Sequence, residues 1–372
     1  MLKFGVLGVG AIATVGYGVL PNLGPTKGKA ELVALADPVL DRAQAAAKTY
    51  GAAHVVSSLD ELLAIDELDA VVNLTPIPAH GATTLQILRA GKHVATEKPI
   101  ATSMADADAI AETAAANGLH VVCSPPNMLY PTRAEARRLI RSGAIGKVAF
   151  ARVRASHGGP ASMMNWPIDP TWFYQKGSGP LFDVGVYGIH ELLGLLGPAK
   201  RVTALSGITE PTRTVRSGPY AGLEIEVTTD DNTLLMLDFG SATFGIVDAT
   251  FNVNAALGPR LEVFGRKGTL NLPNNLNVDS GRGIDLFQLD AAAGLSGWTG
   301  LDLAHLEPAQ LRVDSLKRAL LVDHLADVVA GTAVNELDVE VARHSLEIML
   351  KAIESARSGR TLDLETTFTP VA

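Results

Sequence analysis

Along the first third of the chain, short apolar runs at 4–8, 31–36, 54–56, 70–74, 93–95 and 120–123 alternate with stretches of helical period, among them 41–50, 83–90 and 104–117. Runs of that length separated by helices predict repeated βαβ units on a parallel, doubly wound α/β sheet. Pro125, Pro126 and Pro131 interrupt the alternation directly after the sixth run, and the break predicts two domains, 1–124 and 125–372. A helix over 133–142 follows and stops at Gly143. Beyond it the period changes to two, over 148–156, 201–208, 223–229, 233–239, 243–252, 260–264 and 269–272. Asp230-Asp231-Asn232 and Gly265-Arg266-Lys267-Gly268 lie between consecutive runs as turn chemistry. They predict an α+β second domain with a large, open, mainly antiparallel sheet, helices on one face and a subunit on the other. From 274 to 308 the periodicity is weak and predicts loop with a short strand near 284–288; helices near 315–329 and 340–356 follow.

At 372 residues and 47% hydrophobic content the chain exceeds what one core usually holds, in keeping with two domains. Its apolar runs are broken well short of the roughly 20 residues that cross a bilayer, so no membrane span is expected. The opening Met1-Leu2-Lys3-Phe4-Gly5 leads into a strand rather than a signal peptide. Cys123 is the only cysteine, which excludes an internal disulfide framework and fits a reducing cytoplasm. Flanked by Val121, Val122, Ser124 and Pro125, it is expected to be an inert thiol at a buried strand end. A net charge of -8 without a long run of one sign argues against nucleic acid and for a small-molecule partner. The histidines are scattered, with no His-Glu-x-x-His, no cysteine cluster and no Gly-x-Ser-x-Gly elbow, so neither a metal site nor serine hydrolysis is expected.

The first apolar run ends in Gly8-Val9-Gly10-Ala11-Ile12-Ala13. Gly8 permits a tight turn, Gly10 removes a Cβ that would block a pyrophosphate, and Ala13 allows close helix packing, while the N–H groups of Ala11 and Ile12 face phosphate. This is the pattern of a Rossmann domain. Asp37 ends the second run where a carboxylate accepts hydrogen bonds from an adenosine ribose; it would repel a 2′-phosphate, which favours NAD over NADP. Arg42, a turn further on, partly offsets that repulsion. The plainer account of Asp37 is an N-cap with Pro38 at the first helical position. Thr75 and Pro76 at the end of the fourth run would wall the cofactor, and His80 is either a cofactor contact or a helix-start histidine. The fifth run delivers Glu97-Lys98-Pro99. In a desolvated cleft beside a nicotinamide, Lys98 would exchange a proton with a substrate hydroxyl; otherwise Glu97 and Lys98 are a surface ion pair.

The glycine turn, the acidic end of the second run, Thr75-Pro76 and Glu97-Lys98-Pro99 together resemble the glucose–fructose oxidoreductase / inositol dehydrogenase / MocA family. The resemblance covers most of the chain and is weakest over 274–308. It implies an NAD-dependent oxidoreductase with a second, open-faced domain that forms homodimers or homotetramers through its sheet. It also implies a catalytic group of Lys98, Asp183 and Tyr187, from Gly177-Ser178-Gly179-Pro180-Leu181-Phe182-Asp183-Val184-Gly185-Val186-Tyr187, with Tyr187 where the inositol dehydrogenase branch has His. Asp183 and Tyr187 stand at i and i+4, which shares one helix face. A tyrosine, whose ordinary pKa is about 10, serves as a base near neutrality only beside a cation such as Lys98. The plain alternative puts the Tyr187 ring in the core with its hydroxyl at the edge.

His190 is either a substrate contact or a core histidine. Many members of the family are Arg-rich after the sixth strand, where this chain has Pro126-Asn127-Met128-Leu129-Tyr130-Pro131; Asn127 is placed to touch nicotinamide or substrate. His157, Trp166 and Trp172 lie in an aromatic-rich tract suited to a sugar ring, or equally to pinning a loop. The expected function is hydride transfer between nicotinamide and a secondary alcohol or ketone of a sugar, glycoside or cyclitol. NAD-assisted glycoside cleavage or sugar-to-sugar transfer with tightly held cofactor, and a non-catalytic sensor, are the alternatives.

Overall fold

The computed structural model describes residues 1–272, 283–292 and 294–371; the start of the tract expected to be loop, 274–282, lies outside the described residues, and the rest carries two strands, Asp285–Ala292 and Leu295–Gly300, where the sequence pattern predicts one short strand. The chain opens with β1 (Leu2–Leu7), α1 (Ala11–Thr14), β2 (Ala30–Ala36), α2 (Leu40–Tyr50), β3 (His54–Val56), α3 (Leu59–Leu63), β4 (Ala70–Asn73), α4 (His80–Arg89), β5 (His93–Thr96), α5 (Met104–Asn117) and β6 (Val121–Cys123). It continues through α6 (Pro131–Arg141), β7 (Val148–Arg154), α7 (Val186–Leu196), β8 (Arg201–Gly207), β9 (Thr212–Thr214), β10 (Glu224–Glu226), β11 (Asn232–Gly240) and β12 (Thr243–Thr250). Then come β13 (Leu261–Gly265), β14 (Gly268–Leu272), β15 (Asp285–Ala292), β16 (Leu295–Gly300), α8 (Glu307–Leu316), α9 (Leu320–Val329), α10 (Val339–Ser358) and β17 (Leu362–Asp363). Among the described residues no helix is long and apolar enough to cross a membrane.

The first six strands form one parallel sheet in the order β3-β2-β1-β4-β5-β6. Its central strands are apolar without alternation, as burial on both faces requires: all four residues of β4 are buried. Helix α5 starts where the Ser103 hydroxyl accepts the Asp106 N–H and stops at Gly118 in the left-handed conformation.

Two departures from the sequence pattern shape this part. The helix expected after the glycine turn is a single turn: α1 ends at Thr14, and the chain passes through Val15, Gly16, Tyr17 and Gly18 into 3-10 turns at Leu20–Asn22 and Gly24–Thr26. Glycine and proline at that density make a longer helix costly. The second departure is the domain border. Two compact units are present, Met1–Pro131 with Leu306–Leu346, and Thr132–His305 with Glu347–Pro370. The late segment returns because Leu321, Val322, Leu325 and Leu337 share one core with Val6, Val72, Ala95 and Val122. Its main chain also reaches β6, where Cys123 N–H donates to Leu337 O at 2.9 Å.

The second unit is built on a nine-stranded sheet, β16-β15-β14-β13-β7-β12-β11-β8-β17, mainly antiparallel with one parallel pair, β12 and β7. Of the run expected at 223–229 only β10, Glu224–Glu226, forms a strand, and it pairs with β9 in a separate two-stranded sheet rather than with β11. Asp231, fully buried, accepts the Thr209 N–H and pairs with Arg213, which draws the intervening chain away from a hairpin. Helix α7 covers one sheet face, and Glu191 on it joins Arg133 and Arg260 in a buried triad. Arg133 donates through Nε and Nη2 at 2.9 and 2.8 Å, and Arg260 at 3.3 and 3.1 Å.

Removing the central carboxylate would leave two buried guanidinium groups facing each other. Glu191→Ala is expected to lower unfolding free energy by about 3–5 kcal/mol, read from urea unfolding; a loss below 1 kcal/mol would mean water enters and solvates the pair.

Candidate active site

In an open parallel sheet, ligands bind at the carboxyl ends of the strands where the strand order reverses, here between β1 and β4. Gly8 leaves β1 with φ +92°, and a Cβ on it would lie 2.8 Å from Leu74 O, so both backbone and space require glycine. Gly10 differs. A Cβ there would meet nothing within 4 Å, so no protein packing fills the space in front of this glycine. That gap, with the first N–H groups of α1 at Ala11 and Ile12 lacking partners within the helix, fits a dinucleotide pyrophosphate. Beside it opens a pocket of about 560 Å³, with Gly10, Ala11 and Thr14 on one wall and Arg42, Ala46 and Tyr50 of α2 on the other.

Asp37 is 4% exposed and already carries two hydrogen bonds. Oδ2 accepts the Val9 N–H and Oδ1 the Val39 N–H, both at 2.8 Å. The carboxylate therefore ties the glycine turn to the segment entering α2. Val39, not Asp37, is the N-cap of α2, without a side-chain cap, and Pro38 does not occupy the first helical position.

At the end of β4, Asn73 is fully buried and organises the next loop. Its Oδ1 accepts from the Thr75 N–H at 3.2 Å and hydroxyl at 2.7 Å, and its Nδ2 donates to Thr83 and Thr84. Pro76 is exposed beside it. His80 is buried with both ring nitrogens against carbonyl oxygens, Nε2 at 2.7 Å from Thr75 O and Nδ1 at 2.8 Å from Pro99 O. It joins the β4 loop to the turn after β5.

That turn carries Glu97 and Lys98. Glu97 is buried rather than a surface ion, and its partner is Arg318, whose Nη1 donates to Oε1 at 2.5 Å. Burial alone would push the Glu97 carboxyl up, but the cations of Arg318 and Lys98 outweigh it and hold it below the usual carboxylate range. Nothing local in the sequence points to Arg318, 221 positions away. Nearby, the Ser124 hydroxyl is buried without a hydrogen-bond partner among the described residues. Asn127 is buried in a 3-10 turn at Pro126–Leu129. Burial pushes the Cys123 thiol far up, so it stays protonated and inert.

In the second unit, Asp183 lies on a π-helical turn, Leu181–Gly185, that runs directly into α7. The pair Asp183 and Tyr187 is thus not on a regular α face: the backbone is one residue wider per turn at Asp183. The glycines around it have separate reasons. Gly177 and Gly179 adopt φ of +96° and +95°. Gly185 and Gly188 are packing positions, where a Cβ would lie 2.7 Å from Ala249 Cβ and 2.9 Å from a Val153 methyl. Small residues there let α7 lie close on the sheet.

His190 is buried on α7, and burial pushes its pKa down to about 3, so it is neutral at physiological pH. The His157 ring stacks on Phe251 at 5.2 Å, and its Nδ1 accepts the Gly159 N–H at 2.9 Å. Trp166 packs edge-on against Phe173 at 5.6 Å, and its indole N–H is buried without an acceptor among the described residues. Trp172 is exposed.

Residues 2–124 match the oxidoreductase family with an NAD-binding Rossmann fold, and residues 134–271 match the GFO/IDH/MocA C-terminal domain. The chain belongs to the Gfo/Idh/MocA oxidoreductase family. It is 30% identical to an uncharacterized oxidoreductase of Rhizobium meliloti, over 74% of this chain and 76% of the relative. It is 27% identical to scyllo-inositol 2-dehydrogenase (NAD(+)) of Bacillus subtilis, over 72% and 73%. Levoglucosan dehydrogenase, solved in complex with NADH and L-sorbose, shares the fold at a TM-score of 0.82 and 20% identity, covering 98% of this chain and 99% of that one. As a Gfo/Idh/MocA member, the protein is an NAD-dependent oxidoreductase.

Replacing Asp37 by Asn would turn an amide NH2 toward one of the two main-chain donors and remove the charge from both bonds. Asp37→Asn is expected to weaken NADH binding more than about tenfold, the loss of one charge-assisted bond, without making NADPH the preferred ligand. Fluorescence titration with both nucleotides measures this; unchanged NADH affinity would show that the turn does not need the clamp.

Proposed function

We propose that this oxidoreductase moves a hydride between NAD and a secondary alcohol or ketone carbon of a sugar, glycoside or cyclitol. The observation that carries the reading is Lys98, a cation at the carboxyl edge of β5, two strand steps and so about 10 Å from the glycine turn of β1. The relative named for scyllo-inositol supports the substrate class. Bound NAD supplies the hydride acceptor at nicotinamide C4. Lys98 and Tyr187 hold and pass the proton of the substrate hydroxyl, while Asp183 accepts from a neighbouring hydroxyl and so orients the ring. The unpartnered Trp166 N–H offers a donor to a further oxygen, and His157 and His190 are neighbouring substrate contacts. Gly10, Ala11, Ile12, Asp37, Arg42, Thr75, Pro76 and Asn127 serve the cofactor, with His80 and Glu97 bracing its wall.

We infer further that the protein works as a homo-oligomer, with a second copy covering the open face of the nine-stranded sheet. On β11 the inward Leu235 and Leu237 are buried, yet the outward Leu234 and Met236 are apolar too, and half exposed. They continue across the register: Leu234 beside Leu205, Met236 beside Ile246, and Phe244, Phe150 and Phe264 in one row, the last two stacked at 4.5 Å. A patch of this kind on a sheet marks an interface. The single buried cysteine is in keeping with a reducing cytoplasm.

Lys98→Ala and Tyr187→Phe are each expected to lower kcat on a substrate found by a screen of pyranoses, glycosides and inositols by about 10²–10⁴-fold, with NADH binding retained. Hydride transfer at the wild-type rate in the double variant would end the reading. Met236→Lys with Ile246→Lys is expected to convert the oligomer to monomers in light scattering; an unchanged mass would place the interface elsewhere.

A further inference from the structure

The turn that leaves β1 and the turn that leaves β5 are not neighbours in the sheet, because β4 lies between them. Within the first unit one late side chain nevertheless links the end of β5 to the segment that follows α1. Arg318 binds Glu97 at the end of β5, and its guanidinium carbon stands 5.8 Å from the centre of the Tyr17 ring, in the segment leaving α1. The adjacent Lys317 reaches Gly16 O with Nζ at 3.4 Å. The segment that carries these cations is held firmly. Leu316 and Ala319, on either side, are fully buried and pack with Val313 and Leu320 against Leu23, Leu129 and Tyr130. Lys317 itself has φ +47°, a backbone that a non-glycine residue keeps only where its surroundings impose it. The bend it makes separates α8 from α9 and sets Arg318 at the carboxyl edge of the sheet.

We propose that Arg318 is a positioning residue for Lys98, resting on the proton-transfer role given to Lys98 above, and that it also orients Tyr17 in the segment that follows the glycine turn and α1. Glu97 directly precedes Lys98, with Oε2 3.4 Å from the Lys98 N–H. A carboxylate there without a second cation would draw the lysine ammonium to itself and keep it protonated. The guanidinium takes up the Glu97 charge in a directed bond, as a planar fork does better than an ammonium. Lys98 then stands beside a pair of no net charge, so no uncompensated carboxylate holds its ammonium. The other titratable groups of this unit beside Glu97 are His80, held between two carbonyl oxygens, and Cys123, held protonated by burial. Tyr17 is 50% exposed, and the cation over its ring is what orients it.

The test compares Arg318→Ala, Arg318→Lys and Glu97→Gln by pH profile and by NADH fluorescence titration, with Lys98→Ala as reference. In Arg318→Ala, kcat is expected to fall about tenfold, and the acid limb of kcat/KM to move to higher pH, because the unneutralised Glu97 stabilises the protonated lysine. Glu97→Gln should move the limb to lower pH, and Arg318→Lys should bring it back toward the wild-type position. A structural role alone would lower activity and leave the limb unmoved in all three, which overturns the proposal, as does an Arg318→Ala enzyme like the wild type. If Arg318→Ala does not fold, the limb shift to lower pH in Glu97→Gln, with Arg318→Lys near the wild-type position, decides in the same way. NADH affinity in Arg318→Ala should weaken about threefold, the worth of one exposed cation–π contact; equal affinity removes the Tyr17 part. Wild-type turnover by Lys98→Ala would defeat the proposed function itself, whereas an inactive Lys98→Ala with an unmoved limb in the other variants defeats only the role of Arg318.

Discussion

At the carboxyl edge of the parallel sheet the strands hand over to loops, and main-chain donors and acceptors lose their ladder partners just where the backbone is still buried. Each must be met by a side chain. Asp37 meets the N–H groups of Val9 and Val39, Asn73 that of Thr75, and His80 the carbonyls of Thr75 and Pro99. The close approach of Gly8 to Leu74 joins the first two of these groups, and the Glu97–Arg318–Tyr17 contacts return from β5 to the segment after α1. The buried polar links thus run from β2 through β1 and β4 to β5. They hold the glycine turn and Lys98 at a fixed separation across an edge that would otherwise be loops.

The parts of this edge that the sequence shows plainly are those whose cause is local. Gly8 and Gly10 follow an apolar run, Asp37 ends the next, and Glu97-Lys98-Pro99 ends the fifth, so strand periodicity alone sets them on one side of a sheet. The six parallel strands are legible for the same reason. Arg318 is not, because its place depends on a core formed by Leu316, Ala319 and Leu320 against Leu23, Leu129 and Tyr130, far earlier in the chain. The truncation of α1 falls between the two cases: Gly16, Gly18 and Pro21 are local helix breakers, but a dinucleotide turn ordinarily opens a longer helix. His80 shows the limit of residue type as a guide. The histidine stands near the ligand edge, yet its ring is held between two main-chain carbonyl oxygens.

In the second unit the period-two pattern identifies the sheet but not its pairing. β10 carries the right alternation and still leaves the main sheet, since the buried charge of Asp231 must be met by Arg213 and the Thr209 N–H. The same physics anchors α7. With Gly185 and Gly188 removing side chains where the helix meets the sheet, and Glu191 held from two sides by arginines, the helix has little freedom to slide. The π turn at Leu181–Gly185 is the one place where its register departs from α, and Asp183 lies there. Backbone of this kind concentrates at functional positions because it sets a side chain where a regular turn would not.

The double use of Asp37 also bears on the role in NAD selection proposed for it. A carboxylate has about four acceptor positions, and two main-chain bonds leave room for ribose hydroxyls, which bring donors of their own. A 2′-phosphate brings only acceptors. Facing it, an acidic side chain on a mobile stem would swing aside, but Asp37 is pinned through both oxygens and 4% exposed. Arg42 lines the same pocket and attracts phosphate, yet it is an exposed side chain on a flexible stem, so solvent and rotamer freedom dilute its effect. A fixed anion at short range outweighs a mobile cation. On the proposed reading, the contact that builds the glycine turn would also select the cofactor, so the two properties would change together at this position.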